Sequence, residues 1–238
     1  MNLAIMQPYL FPYIGYFQLI KSVDVFILYD DVNFRKQSWI NRNKILLNGR
    51  EHFFTLPCKG ISSHKKINEI ELNNLKVFKN DFFKLLEHSY ASKSPFYKET
   101  IVLLNSIFDC KDYKTISEFN FYSIIQICKY LKIDTEIKKS SECVGHTEPL
   151  KREQRIYAIC DHFNASTYIN AKGGDVLYDK SEFSNNKIEL TFLSSIESEI
   201  KYKQVKSVSF IPWLSIIDIL MNNSIQQSQS FLNSYQLN

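Results

Sequence analysis

The chain has 238 residues, 45% of them apolar and 23% charged, with a formal charge of +4. That length can bury a sizeable core, and the composition is that of an ordinary globular protein rather than a disordered or fibrous one. The charge is too small to argue for nucleic acid by itself, and no apolar run reaches the length of a membrane span.

Leu3–Met6 reads as a short buried strand. It is followed by QPYLFPYIGYF, Gln7 to Phe17, which packs two prolines, a glycine and five aromatics into eleven residues. Tyr13–Lys21 has room for a short helix, and Asp24–Tyr29 is a continuous apolar run ending in Asp30-Asp31. Strand, helix, strand predicts a βαβ unit with a parallel pair. Lys44–Leu47 and Glu51–Leu56 flank Asn48-Gly49, a strong hairpin signal. Ile67–Leu72 alternates and is expected to add a strand.

The middle of the chain is helical by spacing. Leu75–Tyr90, Pro95–Phe108 and Ser117–Leu131 carry apolar residues three and four apart. Asp134–Ser140 reads as a strand, Glu148–His162 as a helix and Thr167–Asn170 as a strand followed by Ala171-Lys172-Gly173-Gly174. Lys187–Leu193 is a further strand and Pro212–Asn222 a last helix, with a polar tail from Ser224. The expected fold is α/β: a mostly parallel, Rossmann-like sheet of βαβ units, a β-hairpin and a helical insertion. One domain over 1–238 is expected, with the helical segment at about 75–132.

Five constellations bear on chemistry. The opening loop leaves the carboxyl end of the first strand, where open parallel sheets bind ligands. Pro8 and Pro12 stiffen it and Gly15 permits close approach, so Gln7, Tyr9 and Tyr13 are binding candidates. An aromatic staple for the core is the competing reading. Asp30 and Asp31 end the second strand at the same edge and are catalytic candidates, against a plain turn-capping role. The segment RKQSWINRNK, starting at Arg35, supplies Arg35, Arg42, Asn41, Asn43 and Trp39, groups suited to phosphate binding and to stacking on a base or sugar. Lys172, Gly173 and Gly174 offer a small anion cradle, though Gly-Gly is also a plain turn. His64, in a polar loop, is a third acid–base candidate. Cys58 has no local His or Asn pattern to make it a nucleophile.

The five cysteines, odd in number and scattered, read as reduced thiols of a cytoplasmic protein. Met1 leads directly into strand-like sequence, without a basic n-region, so no signal peptide is expected. Walker, G-x-G-x-x-G, H-E-x-x-H and G-x-S-x-G motifs are missing, and neither a cofactor nor a metal site is expected.

MQPYLFPYIGYFQLI, DVFILYDDVNFRKQSWINRNKI and the late FIPWLSIIDILMN together resemble the WbqC-like family of bacterial proteins, over nearly the whole chain. The resemblance implies a setting among genes for O-antigen and other surface polysaccharides. Some of these carry amino-dideoxy sugars with acyl or glycyl amides. It therefore implies a transferase placing an acyl or aminoacyl group on the amine of a dTDP- or UDP-linked amino sugar. The donor stays open between an acyl-CoA, an amino acid with ATP and an aminoacyl-tRNA. A glycosyltransferase of the same pathway and a non-catalytic sugar-nucleotide-binding or scaffolding protein are the alternatives.

Overall fold

The computed structural model describes residues 1–238. Its strands are β1 (Asn2–Met6), β2 (Val25–Leu28), β3 (Arg42–Leu47), β4 (Arg50–Thr55), β5 (Cys58–Lys59), β6 (Glu71–Leu72), β7 (Glu136–Lys139), β8 (Thr167–Ala171), β9 (Glu189–Ser195) and β10 (Tyr235–Leu237). Its helices are α1 (Ile14–Lys21), α2 (Leu75–Tyr90), α3 (Tyr97–Asp109), α4 (Ile116–Tyr130), α5 (Ser140–Cys143), α6 (Glu153–His162), α7 (Lys180–Asn185), α8 (Ile216–Asn222) and α9 (Ile225–Phe231). No helix is long and apolar enough to cross a membrane.

The two apolar runs near the start are buried on both faces, as central parallel strands must be. Leu3, Ile5, Val25 and Ile27 point into one core, while Ala4, Phe26 and Leu28 point into the other. The larger core takes in α1, α2 to α4 and the hairpin β3–β4, and the smaller one α6 and α7. The main sheet has six strands in the order β10-β9-β8-β1-β2-β7. All neighbours are parallel except β10, which runs antiparallel to β9.

Taken along the chain, the parallel strands lie third, second, first, fourth, fifth, the doubly wound order. The order reverses between β1 and β8. Ligand sites of such sheets lie outside the carboxyl ends at that reversal. Gln7 follows β1 there, and Lys172 follows β8. The fold expectation is thus met, with a separate antiparallel hairpin and several helices outside the sheet.

Four local expectations change. Ile67–Glu69 is a single 3-10 turn and only Glu71–Leu72 is strand, because Glu69 turns back to accept the Lys66 amide at 2.7 Å. The helix expected from Glu148 begins at Glu153: Pro149 interrupts the segment and Arg152 sits at φ 51°. The helix expected from Pro212 begins at Ile216, after Trp213 at φ 60° and a Ser215 cap whose hydroxyl accepts from the Ile217 amide. The polar tail forms α9 and β10. Gln18 of α1 holds that tail, its amide donating to Phe231 and Ser234 carbonyls at 2.7 and 3.1 Å.

Candidate functional site

Above the carboxyl edge, the opening loop folds back on itself and divides its aromatics between two tasks. Leu10 and Phe11 are wholly buried. Phe11 packs among Phe82, Phe108 and Phe119 at centroid distances of 6.1, 6.2 and 5.8 Å. Tyr9 and Tyr13 instead face outward, and with Pro12, Trp39, Asn43, Lys44 and Trp213 they line a cleft of about 420 Å3. The core-packing aromatics of the loop and those that line the cleft are thus different residues.

The loop is a framed structure. Five of its carbonyls, from Gln7, Pro8, Leu10, Phe11 and Pro12, have donors from the fold around it. Gln7 O accepts from the Tyr16 hydroxyl at 2.9 Å. Pro8 O accepts from Asn120 Nδ2 at 2.9 Å, and the same amide reaches Ile40 O at 2.8 Å. Asn43 Nδ2 donates to both Leu10 O and Phe11 O at 2.8 Å. The Ser215 hydroxyl donates to Phe11 O at 2.8 Å, and the Ile216 amide to Pro12 O at 2.9 Å. A loop held in this way is preorganised, so a ligand would lose little affinity to ordering it.

The cleft walls are aromatic. Tyr13 meets Trp213 edge-on at 5.4 Å. Trp39 stacks against Phe53 at 6.2 Å, and the Arg42 guanidinium lies 5.9 Å from the Trp39 ring centre and 5.4 Å from that of Phe53. Arg42 Nε is buried with no partner. Lys44 pairs with Glu51 across the hairpin. Burial pushes the Tyr9 hydroxyl up from its ordinary value, and the nearby Arg35 charge pulls it back. Burial also raises Tyr13, with Tyr9 beside it adding to the effect. Both phenols therefore stay protonated at neutral pH and act as hydrogen-bond donors rather than bases.

The acid pair has a different setting. Asp30 and Asp31 are buried, at 1% and 5% exposure, and all four carboxylate oxygens have donors. Asp30 accepts from the Ser117 and Ser141 hydroxyls at 2.8 and 2.9 Å and from the Ser141 amide at 3.1 Å. Asp31 accepts from the Ser140 hydroxyl at 2.6 Å and pairs with Arg155 at 2.6 Å. The pair thereby ties the segment after β2 to α4, α5 and α6. Each oxygen thus already has at least one donor within the fold.

The other predicted residues separate. Asn41 is buried, donating to Leu56 O at 3.3 Å, and Arg35 is exposed beside Tyr9. His64 is exposed in the loop whose Lys65 O receives the Phe34 amide at 2.8 Å. Lys172, Gly173 and Gly174 form a 3-10 turn after β8, outside the cleft lining. Burial pushes the Cys58 thiol up to about 12, so it stays protonated. Trp213 and Pro12 went unnamed as site residues. Trp213 carried one signal, an aromatic after proline in the late FIPWL stretch.

A model of the WbqC-like protein family matches residues 7–230. The uncharacterized protein Rv1507c of Mycobacterium tuberculosis is 30% identical over 226 residues, which span 93% of this chain and 93% of that protein. No solved structure matches.

Proposed function

The chain belongs to the WbqC-like protein family, and on that premise we propose that it is a transferase of surface-polysaccharide (O-antigen) synthesis. It would add an acyl or aminoacyl group, such as glycyl, to the amine of a nucleotide-linked amino-dideoxy sugar.

The observation that carries this reading is the cleft. Its volume of about 420 Å3 falls within the range of small-molecule sites. Four aromatic walls, Tyr9, Tyr13, Trp39 and Trp213, suit the flat faces of a base and a sugar ring. Arg35 beside Tyr9 and Lys44 in the lining supply positive charge for a diphosphate. Asn43, in the lining, holds the opening loop through the Leu10 and Phe11 carbonyls. In the transfer, the sugar amine attacks the acyl carbonyl, the new C–N bond forms as the donor's acyl bond breaks, and a base removes the amine proton. Asp30, Asp31 and His64 are the candidate bases, and each would have to reach the amine from outside the cleft lining.

One observation favours a second reading, a binding protein without turnover: neither a carboxylate nor a histidine lines the cleft. Calorimetry with dTDP- and UDP-linked amino sugars, followed by mass spectrometry of the sugar after incubation with each donor class, separates the two. Binding with an added acyl mass supports the transferase. Binding with an unchanged mass under every donor supports the second reading, and no binding removes both.

A further inference from the structure

The segment that brings Trp213 to the cleft also walls a second cavity, of about 480 Å3. Lys93, from the turn between α2 and α3, faces Lys203 and Lys206 there, with Gln204 and Asn222 between them. The lining holds three ammonium groups and no carboxylate. None of the three lysines takes part in an ion pair. Lys206 Nζ has one neutral acceptor, Asn48 Oδ1 at 2.9 Å. Lys206 sits against Lys93, and the side-chain contact between the two, with the like charge adding to it, lowers the Lys93 pKa.

The backbone under these side chains is pinned. Gln204 is buried, and its amide closes the loop by donating to Ile211 O at 2.7 Å and accepting from the Ile211 amide at 2.8 Å. Lys206 is held at φ 55°. Its carbonyl is so close to Gly49 that a Cβ there would lie 2.2 Å from it. Asn222 Oδ1 accepts from the Ser94 hydroxyl at 2.9 Å. Like charges repel in proportion to their closeness, and here a rigid frame gathers three of them with no internal counter-charge.

We propose that this cavity binds the phosphate or pyrophosphate group of a small anionic ligand, at a site separate from the aromatic cleft. Ammonium groups on flexible stems bind phosphate as converging point charges. The proposal rests on the lysine cavity alone and stands whether or not the cleft takes a nucleotide sugar.

The test is calorimetric titration of the full chain with inorganic phosphate and with pyrophosphate, with ionic strength held constant by sodium chloride. Both anions are expected to bind, pyrophosphate more tightly. The Lys93→Ser/Lys206→Ser double variant should weaken pyrophosphate binding by about tenfold or more, as loss of charge-assisted hydrogen bonds implies. Lys93→Arg should retain it, and Trp39→Ala, which alters only the cleft, should leave it unchanged. The lysines are exposed, so the double variant should keep its circular dichroism spectrum and melting temperature. Equal pyrophosphate affinity in the double variant, or an effect that sodium chloride alone reproduces, overturns the proposal. Loss of pyrophosphate binding in Trp39→Ala places the anion in the cleft and overturns it as well. If phosphate binds as tightly as pyrophosphate, the site takes a single phosphoryl group.

Discussion

Arg155 and Asp31 meet at 2.6 Å, 124 residues apart in the chain, with their side chains only 4% and 5% exposed. The guanidinium also lies 4.5 Å from the Tyr29 ring centre and donates to Thr147 Oγ1 at 3.1 Å. Removing one member strands the other charge in the interior, which typically costs about 3–5 kcal/mol. Asp31→Asn and Arg155→Met are each expected to lose stability of that order in urea unfolding. The double variant should lose less than the sum of the two. Two small, additive losses would mean that the pair is not coupled.

The two tasks of the opening loop should separate by substitution. Phe11→Ala removes a wholly buried ring and is expected to cost about 3–5 kcal/mol. Trp39→Ala trims an exposed ring, so its stability change should stay within about 0.5 kcal/mol. Stacking on a base is worth about 1–3 kcal/mol by alanine substitution. Trp39→Ala should therefore weaken nucleotide-sugar binding by about tenfold or more in calorimetry. An unchanged affinity would detach Trp39 from the ligand.

Gly15→Ala probes the wall from behind. A Cβ at that position would lie 2.3 Å from Tyr13 Cε2 and 2.9 Å from Ser195 Oγ. Alanine is the better helix former by about 0.5–1 kcal/mol, so the helix itself should tolerate the change. The Tyr13 ring has to shift, and with it the edge-on contact to Trp213. The expected outcome is a melting temperature near the parent's with a several-fold loss of nucleotide-sugar affinity. Parent-like affinity would show that Tyr13 does not shape the bound state.

Asp218 should give the fold a pH dependence. Burial raises its pKa above the usual carboxylate range, and the hydroxyls of Tyr202 and Tyr90, donating at 2.6 and 2.7 Å, pull it back in part. The folded state therefore holds this proton more tightly than the unfolded one, whose value is about 3.9. The stability from the neutral acid is present in full below that value and fades as pH rises through the raised one. Asp218→Asn cannot ionise. Its stability relative to the parent should be constant below about pH 4, improve as pH rises from there, and level off once the raised value is passed, in urea titrations at a series of pH values. Parallel profiles would assign the dependence to other groups.

How far the sequence could be read followed the range of the interactions. β1, α1, β2 and the hairpin were legible because their signals are local. Asn48 and Gly49 both take positive φ, 53° and 77°, as the Asn-Gly turn predicts. The acid pair was located correctly after a strand end, but its internal partners were not legible, because Ser117, Ser140 and Arg155 come from distant elements. Asn43 looked like a ligand group, yet its amide hydrogens go to Leu10 and Phe11. Ile67–Leu72 alternates as a strand does, and a single Glu69–Lys66 contact turns it into a 3-10 turn instead. Trp213 stayed hidden because a positive φ in a non-glycine residue, which places it in the wall, leaves no pattern in residue order.

Only two tryptophans occur in the chain, and both border the cleft. Under excitation that tyrosine does not absorb, the emission of this protein therefore originates at one place. A molecule entering the cleft changes the surroundings of both emitters together, while rearrangements around α6 and α7, on the far side of the sheet, leave them dark to observation. The unlabelled chain carries its own optical gauge of occupancy.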